Sequence, residues 1–309
     1  VKIVFVDLRD GKMTFDKLSI EGDLPINKQN IIYFSCDPKY WAEYGQYLAK
    51  STLHFNHHQV HVHVHLIYEQ DEHNPKHYIS DPGITYTFER HPKDFYDQFR
   101  LDTKNSLFGR GMEICNTRQH DEFKQKIYWS SRRFMIMDKL FDTHQHVLQL
   151  DADGLCRVTF ALHHYQRITK TPSAMRKPKD RNVYIASCIS PGIGNEGDRF
   201  KKHLAQQMIM AFQRPIYWFV DQHVLKQIFD NWDGTPINEI PYAWNSWGLK
   251  SGGEIFSTAK GTKKYGTRYK NLKYNWFTDK QKLKFHKDRR NTNNLKRNLE
   301  FLQNESKKK

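Results

Sequence analysis

The sequence predicts an α/β protein built on an open, mostly parallel sheet flanked by helices, and three observations predict it. The apolar run Ile31-Ile32-Tyr33-Phe34-Ser35 passes through the polar turn Cys36-Asp37-Pro38-Lys39 into a helical pattern over 40–53, and a strand pattern follows over 59–68. Such a βαβ unit sets its two strands parallel through a right-handed crossover. The same alternation recurs where a helical pattern over 123–141 leads into the strand His146-Val147-Leu148-Gln149-Leu150. Finally, 309 residues with 38% hydrophobic and 14% aromatic content bury a sizeable core and are too apolar for a disordered chain.

The elements follow in chain order. Val1-Lys2-Ile3-Val4-Phe5-Val6-Asp7 reads as a strand, its acid and base lying too early for a signal peptide's apolar centre. In 40–53, Trp41, Tyr44 and Leu48 share one helical face. Ile84 to Phe88 is a further strand, and Ile127, Phe134, Met137 and Leu140 recur at helical intervals within 123–141. After Leu150 come Asp151-Ala152-Asp153-Gly154, so that two acids stand at a strand's end. A strand is expected from Asn182 to Ile189, a loop over Pro191 to Gly197 and a helix over 199–212. An aromatic run then ends at Asp221-Gln222, with a helix on to Phe229. Regularity fades after Pro241, and a frayed helix is expected near 294–302. This divides the chain into an N-terminal extension (1–29), a main domain (30–265) and a basic C-terminal extension (266–309).

The net charge of +15 points toward phosphates, nucleic acid or anionic surfaces. It is unevenly spread: residues 259–309 hold 17 Lys/Arg and 4 Asp/Glu, which is +13 of the total, leaving the body nearly neutral. No apolar stretch is long enough for a transmembrane helix. The cysteines, Cys36, Cys115, Cys156 and Cys188, are widely spaced without a CxxC pair, which argues against a zinc knuckle or a disulfide framework and suggests a cytoplasmic setting.

The acid pair Asp151 and Asp153 carries the sharpest chemical signal. Residues i and i+2 of a strand point the same way, and where the chain turns their carboxylates converge on one cation. All-oxygen ligands with positions left open for phosphate suit Mn²⁺ or Mg²⁺. In an open parallel sheet, ligands sit at the carboxyl ends of the strands, which places Ser35 to Asp37 at the same edge.

The order of these pieces, Ser35-Cys36-Asp37-Pro38-Lys39-Tyr40, then Arg133-Phe134, then Val147 to Leu150 with Asp151-Ala152-Asp153, resembles the nucleotide-sugar-dependent glycosyltransferases of the GT-A (Rossmann-like) fold. It is closest to the branch containing bacterial galactosyltransferases and glycogenin. Asp221-Gln222 and Pro241-Tyr242-Ala243-Trp244-Asn245 extend the likeness over roughly residues 30 to 265. The resemblance implies a hexosyl transfer from a nucleoside diphosphate donor, UDP-linked, to a hydroxyl of a glycan, lipid or protein acceptor, with Mn²⁺ or Mg²⁺ as cofactor. It gives Asp37 and Tyr40 to the nucleotide base, with Ser35 and Cys36 flooring that pocket. Arg133 goes to the phosphates or sugar, Ala152 and Asp153 to the donor, Asp151 and Asp153 to the metal, and Asp221 and Gln222 to the transferred sugar as catalytic residues. The family's third metal ligand, a C-terminal His followed by Gly and Lys, has no counterpart in Phe256 to Lys264, where Gly261 and Lys263 remain to touch the diphosphate. Its Asn-Ala-Gly near the acceptor reads Ile185-Ala186-Ser187 here.

Two other readings share the sequence. Leu150-Asp151-Ala152-Asp153-Gly154 has the form of a phosphatase-like nucleophile motif, and the tail from Lys282 to Lys309 fits a non-catalytic polyanion or nucleic-acid binder, or a contact with an anionic surface. His61, His63 and His65 lie on one strand face, but side chains four residues apart along a strand are too distant to share an ion, at about 6.7 Å per two residues. These histidines, like His163-His164, are expected to be structural.

Overall fold

The computed structural model describes residues 20–69, 79–92, 94–102, 117–177, 180–247, 249, 254–259, 265–276 and 282. The chain divides into two compact units, Val1–Lys260 and Gly261–Lys309. The strand expected at Val1 to Asp7 and the helix expected near 294–302 lie outside the described residues.

The first unit opens with the short strand β1 (Ile20–Gly22) and the seven-residue β2 (Asn30–Cys36). Asp37 then caps helix α1 (Pro38–Tyr40), its carboxylate accepting from the Tyr40 N–H at 2.9 Å with Pro38 at the first helical position. The helix widens through a π turn (Trp41–Gly45) into α2 (Gln46–Asn56). Trp41, Tyr44 and Leu48 are all buried, as their spacing requires. Gly45 makes that packing possible, because a Cβ there would meet Trp41 and Phe34 at 3.0 and 3.1 Å.

Strands β3 (His61–Glu69) and β4 (Ile84–His91) precede a 3₁₀ turn (Phe95–Gln98) and α3 (Thr117–Met135). After α4 (Met137–Leu140) come β5 (His146–Leu150) and β6 (Gly154–Cys156). α5 (Leu162–Thr169), β7 (Ser173–Lys177) and β8 (Asp180–Ser190) follow. The unit continues with α6 (Gly194–Phe212), α7 (Val220–Asn231), β9 (Asn238–Glu239), β10 (Asn245–Ser246) and β11 (Phe256–Thr258).

The main sheet runs β1-β4-β3-β2-β5-β8-β7-β9. Its centre, β4-β3-β2-β5, is parallel, and β1 and β8 border it antiparallel. This is the mixed, mostly parallel α/β architecture with flanking helices that the sequence predicts. Along β2, side chains alternate between two cores: Ile31 and Tyr33 pack with residues of α3, α6 and α7, while Ile32, Phe34 and Cys36 pack with Trp41, Leu48 and Phe256. A smaller sheet, β10-β11-β6, covers the second core.

Three local expectations change. α6 begins at Gly194, inside the segment expected to be a loop: the Gly197 N–H already bonds the Ile193 carbonyl at 3.2 Å, and Gly197 lies so close to the Gly192 carbonyl that only a glycine fits there. Asp221 and Gln222 lie within the first turn of α7 rather than ahead of it. The region after Pro241, expected to be irregular, supplies β10 and β11.

The second unit holds α8 (Thr267–Lys273) and a 3₁₀ turn (Tyr274–Trp276). Tyr269 is buried, and the Lys273 ammonium lies over its ring at 5.2 Å. No helix among the described residues is long and apolar enough to cross a membrane.

Candidate functional site

From β2 the chain passes outward to β3 and β4 and then returns to the other side of β2 as β5. The strand order therefore reverses between β2 and β5, and such a reversal opens a crevice at the carboxyl ends of the two strands. β2 ends at Cys36 and delivers Asp37 and Tyr40; β5 ends at Leu150 and delivers Asp151, Ala152 and Asp153. The two sides meet where the Tyr40 hydroxyl donates to Asp153 Oδ2 at 2.8 Å.

The acid turn is tightly built. Gly154 N–H donates to the Asp151 carbonyl at 3.0 Å, Ala152 and Asp153 are buried, and Asp151 keeps about a third of its side-chain surface exposed, at 32%. β6 starts at Gly154 and pairs with Thr258 of β11, so the small sheet braces the turn from below. Asn245, fully buried, ties this sheet to the large one: its amide donates to the Ser187 carbonyl at 2.9 Å and its oxygen accepts from Thr258 at 2.6 Å. Ser187 thus has a structural role at the place where the resemblance implies a glycine.

Arg133 joins the acids of two elements. It lies in the last turn of α3, its side chain 7% exposed, where its guanidinium pairs with Asp151 and stands 3.8 Å from Asp221 Oδ2. Burial works against its charge, but Asp151 and Asp221 outweigh that and hold its pKa above the usual arginine value. Its Nε is buried with no hydrogen-bond partner among the described residues. The Tyr33 hydroxyl, which sequence reading does not pick out, donates to the Arg133 carbonyl at 3.3 Å.

The two remaining acids are pushed upward by burial. The Asp37 carboxyl rises despite the backbone N–H groups that it caps. Asp221 is 6% exposed and rises from 3.8 to about 6, with the Arg133 charge and the Gln222 N–H, at 2.8 Å, opposing the rise. Ser35 and Cys36 are buried at the end of β2 on its two faces, and burial pushes the Cys36 thiol well above its ordinary range.

The geometry thus brings Asp37, Tyr40, Arg133, Asp151, Asp153 and Asp221 together, with Ser35, Cys36, Ala152 and Gln222 beside them. Gly261 and Lys263 lie outside the described residues. The histidines of β3 are bonded to threonines of β4: Thr85 lies 3.0 Å from His61 Nε2 and 2.8 Å from His63 Nδ1, and Thr87 lies 3.1 Å from His63 Nε2 and 3.0 Å from His65 Nδ1. For a cation, Asp151 and Asp153 supply hard oxygen donors from one turn, a set that fits Mn²⁺ or Mg²⁺. Among the described residues, no cluster of three or more His, Cys, Asp or Glu forms a metal site.

No family model and no curated protein matches the sequence. Among solved structures, the chain is similar to the bifunctional glycosyltransferase WbbM in its apo form, with a TM-score of 0.47 and 12% identity over 77% of this chain and 47% of that one. The chain thus spans about half the length of WbbM. It is also similar to the galactosyltransferase LgtC in complex with donor and acceptor sugar analogues, with a TM-score of 0.49 and 12% identity over 79% of this chain and 95% of that one.

Proposed function

We propose that this protein is a metal-dependent glycosyltransferase that moves a hexosyl group from a nucleoside diphosphate donor, UDP-linked, to a hydroxyl of a glycan, lipid or protein acceptor. The observation that carries this reading is the meeting, at one strand-order reversal, of a helix-capping acid and a tyrosine just past β2, an acid turn after β5, and a buried arginine shared with an acid of α7. Each of these groups matches a need of the reaction.

Tyr40 offers a flat aromatic face, and Asp37 a carboxylate, to the base and ribose, with Ser35 and Cys36 beneath. Arg133 presents a planar, permanently charged fork suited to phosphate oxygens. Asp151 and Asp153 would hold Mn²⁺ or Mg²⁺, and such an ion offsets the charge of a diphosphate leaving group. Asp221, with a pKa near 6, exists in both protonation states close to neutral pH, which suits a group that exchanges hydrogen bonds with a sugar hydroxyl. Gln222, next in the same turn, supplies a neutral donor and acceptor. Cys36, Cys156 and Cys188 are free and buried, which supports a reducing, cytoplasmic setting.

The test is calorimetric titration of the purified protein with UDP and a panel of UDP-hexoses in Mn²⁺, together with a donor-hydrolysis assay. Binding in the micromolar range that Asp151→Asn abolishes is expected. No binding and no hydrolysis would remove the reading, and turnover of an aryl phosphate lost in Asp151→Asn would replace it with the phosphatase-like one.

A further inference from the structure

One buried cluster is not used by this site, yet it begins one residue away from it. Glu89 of β4 is fully buried and receives the Arg132 guanidinium, with Nε at 2.9 and 2.8 Å from its two oxygens and Nη2 at 2.6 Å. The Tyr128 hydroxyl donates to it at 2.9 Å, His91 Nε2 lies 2.6 Å away and His65 Nε2 approaches to 3.5 Å. Arg132 and His91 hold the Glu89 carboxyl well below its usual range in spite of burial, so the pair is ionic.

Stability alone is a poor reason for such a cluster. A buried ion pair repays its desolvation only in part, and apolar side chains of similar size often do as well. The helix that bears Arg132 already buries Ile127, Tyr128 and Phe134. What the cluster adds is a polar anchor for the helix's last turn, beside the buried Phe134 and Met135. α3 stops at Met135, two residues past Arg133, and Ile136 follows with φ −120° and ψ 0°, outside helical geometry. Helix ends fray, and their last carbonyls have no partner in the helix. Consecutive residues on a helix point about 100° apart. Fixing Arg132 to the sheet therefore fixes the direction in which Arg133 leaves the same turn.

We propose that Glu89, acting through Arg132, is a positioning residue that locks the last turn of α3 and aims the Arg133 guanidinium between Asp151 and Asp221. The Tyr33 hydroxyl on the Arg133 carbonyl is the second point of attachment. With both in place, Arg133 reaches a ligand without the entropic cost of ordering a long side chain. The consequence for UDP rests on the donor-site reading above; the placement of Arg133 does not.

The experiment is a double-mutant cycle on the full chain, with UDP in Mn²⁺ as the probe, accompanied by crystal structures of the wild type and Glu89→Gln. Glu89→Gln should weaken UDP binding at least tenfold in the wild type and less than twofold in Arg133→Ala, because the effect passes through Arg133. Equal losses in both backgrounds would mean a merely structural role and overturn the proposal. Should Glu89→Gln fail to fold, Glu89→Gln/Arg132→Met removes both charges together; it should fold and show the same loss, and wild-type affinity in it would refute the proposal. Wild type that binds no UDP would overturn the donor-site reading alone. The crystal structures then decide the placement: Arg133 leaving Asp151 in Glu89→Gln supports it, and an unmoved Arg133 overturns it.

Discussion

Asp221→Asn should make the protein more stable at neutral pH while removing the acid proposed above to face the transferred sugar. Burial raises the Asp221 pKa from 3.8 to about 6 in the folded chain, whereas the unfolded chain keeps the ordinary value. Between these two values the folded state binds the proton and the unfolded state does not, so stability falls as pH rises through this window. At about 1.4 kcal/mol per unit, the full cost of ionising Asp221 in the fold is about 3 kcal/mol. The asparagine is neutral at every pH and escapes that cost.

The advantage of the variant should therefore grow from about 1.5 kcal/mol at pH 5 to about 3 kcal/mol at pH 8, by the same linkage. Urea unfolding of both proteins at a series of pH values, without metal or nucleotide, measures the difference directly. A gap that does not change with pH would show that the carboxyl titrates normally, and a variant less stable at pH 8 would show that Arg133 stabilises the ionised form more than burial opposes it. Either result refutes the reasoning. Paired with a loss of transfer activity, a growing gap would mark Asp221 as a residue kept at the expense of stability.

Two further predictions concern single contacts and the histidine ladder. Tyr40→Phe removes the 2.8 Å hydrogen bond to Asp153 while keeping the ring; UDP affinity measured by calorimetry should fall about fivefold, in line with about 1 kcal/mol for one hydrogen bond, and an unchanged affinity would deny Tyr40 a part in ordering the turn. The histidine ladder makes a prediction about protons. The ionised Glu89, 3.5 Å from His65 Nε2, favours a proton rather than a lone pair on that nitrogen, and the chain of threonine hydroxyls passes that choice on to His63 and His61. Burial keeps all three neutral at pH 7, with His61 lowered to about 4. Long-range ¹⁵N NMR should find the Nε2–H tautomer in each, and an Nδ1–H form in any of them would break the ladder as described.

Where the sequence was legible, long buried elements made it so. β2, β3 and β5 are five to nine residues long and buried on both faces, so their apolar runs stand out, and their order fixed the crevice that holds Asp37, Asp151 and Asp153. Of the strands missed, β1, β6, β9, β10 and β11 have two or three residues each, too few to show a period, and the five-residue β7, Ser-Ala-Met-Arg-Lys, has no clear alternation. Their pairing depends on distant partners such as Gly154 with Thr258. The Glu89 cluster was missed for another reason. Thr85, Thr87, Glu89 and His91 recur at every second position of β4, opposite the stripe of His61, His63 and His65 on β3, and a polar stripe reads as a solvated face unless its partner is known. Matching the two stripes in parallel register would have identified them as a buried ladder.

The charge of the crevice bears on how such a site would handle a diphosphate. Four carboxyl groups, on Asp37, Asp151, Asp153 and Asp221, line the crevice, and the Arg133 guanidinium pairs with two of them, Asp151 and Asp221. An anionic ligand entering that crevice meets like charge at short range, where partial burial weakens solvent screening. Proton uptake by Asp221 would relieve one charge near pH 6, and a divalent ion, if held by Asp151 and Asp153 as proposed, would relieve two more. Arg133 then gains a choice of partners, since its two present ones are the acids that the proton and the ion would engage. Neutralising them frees the guanidinium to turn toward phosphate without moving its backbone, which Glu89 and Tyr33 hold in place. In this arrangement the acids that would repel a diphosphate are also the ones that orient the arginine in its absence.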